Sequence, residues 1–142
     1  MMRLTVYPPG FGQPSGSPFA VKAIALMQMS GLAYELDVNP DPRKSPKKKF
    51  PVLTDGDKVI PDSDHIRDHL ETVHGIDFEP GLDTHQKAVA RLIIRTLEES
   101  TYFGILSTRW QNEANWPVTR DEFFQGLPPV IGGLITRAVR KG

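Results

Sequence analysis

Cysteine is absent from the 142 residues. Its absence excludes disulfide bonds, thiolate metal sites, a Cys-x-x-Cys redox pair and a cysteine nucleophile, and it fits a reducing compartment. Charge of one sign is missing too: Lys and Arg number 17, Asp and Glu number 17, and the formal net charge is zero. No global basic field would draw the chain onto nucleic acid or an anionic membrane. Apolar runs stop short of the roughly 18 residues that a membrane span needs. The start, Met1-Met2-Arg3-Leu4-Thr5-Val6-Tyr7, enters a strand-like pattern with no signal-peptide core. The expected location is the cytoplasm, with neither nucleic acid nor membrane as partner. Phosphate-binding glycine loops are also lacking. There is no Walker loop, and Gly10-Phe11-Gly12 has no third glycine at the spacing of a dinucleotide fingerprint.

What is present is the balance of a globular chain, with 39% hydrophobic and 24% charged residues. The length suits one domain, or one domain and part of a second. Alternation over Arg3–Tyr7, with Leu4 and Val6 on one face, predicts a first strand that Pro8-Pro9-Gly10 stops. Ser17-Pro18 starts a helix, since serine is a favoured N-cap and proline a favoured first residue. The apolar run Phe19–Ser30 continues it to Gly31, and so apolar a helix is expected to be buried on more than one side. Ala33–Val38 reads as a second strand. Asn39–Lys49, with three prolines and Lys47-Lys48-Lys49, reads as a surface loop. Phe50–Thr54 and Lys58–Ile60 read as strands joined at an Asp55-Gly56 turn. Asp62 and Ser63 can cap a helix over about Asp64–Val73, with Ile66, Leu70 and Val73 inward. This order combines a parallel and an antiparallel strand pair, so the sheet should be mixed.

Beyond a linker at 77–83 the pattern turns helical. Thr84–Trp110 is expected as helix, then a break over Gln111–Pro117, a short helix over Thr119–Gly126, and a last segment Val130–Arg140 after Pro128-Pro129. Arg109-Trp110 and Phe123-Phe124 read as core and packing residues. His65 and His69 stand four apart and so share a helix face. They make half a zinc site with no third ligand at a clear spacing, and they read as surface histidines; no metal is expected.

Three segments together resemble the glutathione transferase superfamily. Ser17-Pro18-Phe19-Ala20-Val21-Lys22 is similar to the Ser-Pro-Phe-x-x-Arg/Lys signature of serine-type members. Lys49-Phe50-Pro51-Val52-Leu53 is similar to the Lys-x-Pro-Val-Leu element, where the family carries a cis-proline. Pro61-Asp62-Ser63-Asp64-His65-Ile66 sits where the family has Glu/Gln-Ser-x-x-Ile. The helical part looks most like the metaxin and failed-axon-connections branch, through Leu97–Phe103, Arg109-Trp110 and Phe123-Phe124.

The resemblance implies an α/β fold: a thioredoxin-like βαβ–ββα domain with a mixed sheet over 1–76, then a partial all-helical domain over 84–142. That helical part is shorter than the family's usual one, so the chain reads as a fragment of a longer protein. The resemblance also implies a glutathione site. Ser17, or Tyr7 where other classes place a tyrosine, would activate the thiol, and Ser15 is a weaker candidate. Phe50, Pro51 and Val52 would hold the cysteinyl backbone, with the pairing assigned to Val52. Asp62 would meet the γ-glutamyl ammonium, Ser63 the α-carboxylate and Lys49 the glycyl carboxylate. Glutathione would be co-substrate, a small electrophile the acceptor, and a homodimer the assembly. Each residue also has a structural reading: helix caps for Ser17, Asp62 and Ser63, a rim aromatic for Tyr7, an ordinary strand-start proline for Pro51, and a solvated loop for the lysines. Two other functions stay open, a non-catalytic metaxin-like scaffold and a binder of acidic ligands through the lysine loop.

Overall fold

The computed structural model describes residues 1–124 and divides into two compact units after Pro80. The first is an α/β, thioredoxin-like unit. Its elements are β1 (Met2–Val6), α1 (Pro18–Ser30), β2 (Tyr34–Val38), β3 (Val52–Asp55), β4 (Lys58–Pro61) and α2 (Ser63–His74). The sheet order is β2-β1-β3-β4. β1 pairs parallel with β2 and antiparallel with β3, and β3 pairs antiparallel with β4. The mixed sheet expected from the element order is present.

Period-2 alternation sorts the strand residues by face. Leu4 stands opposite both Leu36 and Leu53, and Leu53 opposite Ile60. Leu4, Val6 and Leu53 are fully buried, in one cluster with Ala20, Ala23, Ile24 and Met27 of α1 and Ile66 and Leu70 of α2. Helix α1 buries residues at 20, 23, 24, 26 and 27, the broad face expected of so apolar a segment. It begins where expected, with Ser17 as N-cap accepting from the Ala20 amide, and ends at Gly31 with φ 67°.

Local differences have local causes. The hairpin loop is Gly56-Asp57, since Asp55 pairs with Lys58. Gly56, at φ 57°, supplies the positive φ at the first loop position. Strand β3 starts at Val52, so Phe50 and Pro51 precede the ladder. Val73, expected inward, is exposed. Instead Ile76 and Phe78, just past the helix, pack against the core. Arg67 clamps that segment. Its guanidinium is buried, bonds Glu71 Oε1 and Glu79 Oε1 at 2.9 Å each, and lies 5.9 Å from the Phe78 ring centre. The two carboxylates beside it hold its pKa above the usual arginine value against the burial that lowers it. Asn39–Lys49 contains a 3-10 turn, Pro42–Lys44, capped by Asp41. The Arg43 guanidinium, bonded to the Asp41 carboxylate, lowers that group to about 2.

The second unit is helical in the described residues. Asp83 and Gln86 form a reciprocal capping box that opens α3 (Thr84–Thr96). A π-helical turn, Leu97–Thr101, leads without a break into α4 (Tyr102–Trp110). Helix α5 is Trp116–Phe123, earlier than the expected Thr119–Gly126, because Pro117 sits in the first turn, where its missing N–H costs nothing. Trp110 gathers Trp116, Phe123 and Phe124 around it, with centroids 5.8, 5.4 and 6.3 Å away. The buried Thr119 hydroxyl donates to the Arg109 carbonyl at 2.9 Å. The segment expected over Val130–Arg140, with Pro128-Pro129 before it, lies outside the described residues.

Removing the guanidinium at Arg67 leaves Glu71 and Glu79 facing each other. Arg67→Ala should lower stability by about 3 kcal/mol, read from urea unfolding of both proteins. Leu53→Ala, at the sheet centre, should cost about 2–5 kcal/mol. Val59→Ala, on the exposed edge strand, should cost less than about 1 kcal/mol.

Candidate functional site

The chain leaves β1 at Val6 and reaches Ser17 through a compact loop. Gly10 and Gln13 exchange backbone hydrogen bonds at 3.2 and 3.0 Å. Between them Phe11 and Gly12 have φ of 55° and 70°, the two positive values of a type I′ turn. The Gly16 amide then donates to the Pro8 carbonyl at 2.9 Å, closing the loop. Ser15 is buried, and its hydroxyl accepts from the Ser17 amide at 3.4 Å. Ser17 is half-buried at the start of α1, with Oγ 3.5 Å from the Ala20 amide. That contact uses an oxygen lone pair and leaves the O–H as a donor.

The second segment enters β3 through a cis Phe50-Pro51 bond. Tyr7, just past β1, packs edge-on against Phe50 with ring centres 5.1 Å apart. Val52 is enclosed in the sheet, with Thr5 of β1 on one side and Pro61 of β4 on the other. Its backbone therefore runs between two paired strands. Phe50, ahead of the ladder, is where this segment can still offer backbone groups. Lys49 is exposed, at the end of a loop that Ser45 staples with three hydrogen bonds of 2.8–2.9 Å.

The third segment returns to the same end of the sheet. The Asp62 amide donates to the Pro51 carbonyl at 3.2 Å. Asp62 holds φ 83° and ψ 137°, a conformation that an L side chain rarely takes. Such strain persists where surrounding structure over-determines it, and it clusters at ligand clamps. Its Oδ1 caps α2 through the Asp64 amide at 3.0 Å, and its side chain is exposed. Ser63, the first helical residue, is buried.

One contact that the sequence did not announce ties the helices together. Lys22, the cation of the first segment, pairs with Asp64 Oδ1 at 2.5 Å, with little of either side chain exposed. The first turns of α1 and α2 therefore lie side by side. Their N-terminal amides carry partial positive charge toward one place, a setting that favours a bound anion or thiolate.

A separate cluster stands at the other end of α2. The Asp55 carboxylate receives Nε2 of His69 at 2.9 Å and Nε2 of His74 at 2.7 Å. These two hydrogen bonds lower the Asp55 pKa below the usual carboxylate range. His69, expected at the surface, is buried; His65 is the exposed one. The four-residue spacing of His65 and His69 pointed to the wrong partner, because Asp55 comes from the hairpin and His74 from the helix end.

In the helical unit, Thr101 at the end of the π-helical turn and Gly104, Ile105, Thr108 and Arg109 of α4 line an open cavity of about 390 Å³. Burial lowers the Arg109 pKa from the usual arginine value. No helix among the described residues is long and apolar enough to cross a membrane.

The fold is that of a glutathione S-transferase N-terminal domain followed by helices. The chain is a member of the glutathione S-transferase family, since the family model of the glutathione S-transferase N-terminal domain matches residues 18–115. An isoprene-epoxide glutathione S-transferase of Rhodococcus sp. (strain AD45) is 31% identical over 121 residues, 82% of this chain and 51% of that protein. The chain thus spans about half the length of that curated relative. The crystal structure of a glutathione S-transferase from the Antarctic clam Laternula elliptica matches with a TM-score of 0.61 at 18% identity, over 99% of this chain and 63% of that one. The second likeness is one of fold.

The ion pair between the helix starts should be more than decoration. Lys22→Met removes this ion pair and should destabilise by about 2 kcal/mol. Lys22→Met/Asp64→Asn should recover most of that loss. A double-mutant cycle in urea measures both.

Proposed function

We propose that the chain binds glutathione in its first unit and activates the thiol for attack on a small electrophile. The observation that carries this reading is the meeting of three segments at one end of the sheet, joined by the Lys22–Asp64 pair and the Asp62–Pro51 hydrogen bond. The Ser17 O–H would donate to the glutathione sulfur. That bond and the amides at the start of α1 favour the thiolate over the thiol. Capping and donation are compatible, because one hydroxyl can accept from Ala20 and donate to sulfur. Tyr7 is the second candidate for the donor.

The remaining roles follow the same geometry. The Phe50 backbone, beside Pro51, would pair with the cysteinyl residue. Val52 would serve as the sheet residue that fixes that segment. The exposed Asp62 carboxylate would meet the γ-glutamyl ammonium. Ser63 and the first amides of α2 would take the α-carboxylate. Lys49 would reach the glycyl carboxylate. The residue ranges 1–76 and 84–142 would then be a glutathione-binding domain and a partial all-helical domain.

The name of the Rhodococcus relative makes a small epoxide the first electrophile to try. Thiolate attack on an epoxide carbon forms a C–S bond and breaks a C–O bond. The resulting alkoxide takes a proton from solvent. The reading includes a homodimer and a cytoplasmic location, both taken from the family. No metal takes part in the proposed thiol chemistry.

Reduced glutathione titrated into the chain by calorimetry should bind saturably, and Asp62→Ala should weaken it about tenfold. Absence of binding at millimolar ligand in folded protein would overturn the reading. Ser17→Ala should lower the rate of epoxide conjugation by about 10²-fold, while costing only about 1 kcal/mol of stability as a lost cap. Full activity in Ser17→Ala with loss in Tyr7→Phe would transfer the donor role to Tyr7.

A further inference from the structure

Asp55, His69 and His74 bring one oxygen and two nitrogens together, each ligand atom within 4.8 Å of the others. We propose that these three side chains form a binding site for a divalent transition-metal cation of the zinc class, apart from the glutathione site.

The donor set is the first argument. Two imidazole nitrogens and a carboxylate oxygen make a borderline N₂O set, the chemistry that holds zinc and its neighbours rather than magnesium or calcium. Three protein ligands leave a fourth tetrahedral position for water or another small donor.

The framework is the second argument. Asp55 is the last residue of β3 and is held by its ladder pairing with Lys58. His69 is packed in the body of α2, and His74 is its last residue. Five residues apart, the two histidines diverge by about 140° around the helix axis. They reach the carboxylate from two sides, with ring centres 5.5 Å apart and planes at 72°. Both present Nε2 to the same oxygen, Asp55 Oδ2.

The spacing is the third argument. Adjacent ligand atoms around tetrahedral zinc stand about 3.3 Å apart, given metal–ligand bonds of about 2.0–2.1 Å. The two Nε2–Oδ2 separations are 2.9 and 2.7 Å. Entry of a cation therefore asks these two separations to widen by about half an ångström. Each ring would also carry its proton on Nδ1, the tautomer that leaves Nε2 free to ligate. Without the cation, the same groups form a hydrogen-bonded bracket between the hairpin and α2.

The site stands clear of the proposed thiol chemistry. α2 runs from Ser63 to His74, and at 1.5 Å per residue its ends lie about 16 Å apart. Loading one end need not touch the other.

The test is calorimetric titration of Zn²⁺ into the full chain, free of any affinity tag and of glutathione, together with the visible spectrum of added Co²⁺. The expected result is saturable one-to-one binding at micromolar metal and a Co²⁺ band characteristic of four-coordination. His74→Gln and Asp55→Asn should each weaken Zn²⁺ by at least the roughly 10–100-fold that loss of a supporting group costs at a metal site. Glutathione titration of the same variants should be unchanged. Two results would overturn the proposal: no saturable binding up to about 100 µM metal, or full affinity in the His69→Gln/His74→Gln double variant. The half-exposed His74 is the first position to change, so the outcome does not depend on replacing the buried His69. Circular dichroism of each variant confirms the fold against which affinity is read.

Discussion

Leu4 and Leu53 face each other across the β1–β3 ladder with no exposed surface, and the antiparallel sense of that pairing governs where everything else stands. β1 runs toward the end of the sheet where α1 begins. β3 starts at that same end, because it runs against β1. β4 runs against β3 and so returns there to deliver Asp62 and α2. Three segments far apart in sequence thus share one edge, and the helix amides of α1 and α2 point to it. The opposite edge receives what is left, the hairpin and the end of α2, which is where Asp55 and His74 meet.

Polar groups then refine what apolar burial places. Lys22 and Asp64 lock the first turns of the two helices, and Arg67 locks the segment after α2 through Glu71, Glu79 and Phe78. Among the described residues, no buried side-chain nitrogen or oxygen lacks a hydrogen-bond partner. Among the described residues, three that are not glycine hold positive φ, and Asp62 at 83° lies farther out than Phe11 at 55° and Lys48 at 52°. The Asp62 amide on Pro51 and its carboxylate on Asp64 hold it there. A residue so held presents its side chain outward in one geometry.

The helical unit follows a different logic. Its described helices are capped and pinned locally, by Asp83 with Gln86 at one end and by Thr119 and the Trp110 cluster at the other. Large apolar side chains such as Leu92, Ile93 and Phe103 remain exposed.

Much of the fold is legible in the sequence, because local rules write themselves into short stretches. Ser17-Pro18 and Gly31 bound α1, alternation marks Leu4 and Val6 as core, and the three motif segments identify the family. Errors of one to three residues arose at loops and helix starts, at Gly56-Asp57 and at Pro117, where neighbouring turn residues compete. Other features were not legible, because they join residues that only folding makes neighbours. The enclosure of Val52 depends on having strands on both sides. The Lys22–Asp64 pair depends on two helices lying together, and Val73 gave way to Ile76 and Phe78 because the chain turned back at Gly75. The Asp55–His69–His74 cluster has no periodicity to betray it, since one member comes from a hairpin and the others sit five apart on a helix. Sequence alone determined the elements and the family, through capping, alternation and motif spacing; tertiary structure decided which side chains meet, because long-range contact is set by sheet order and not by distance along the chain.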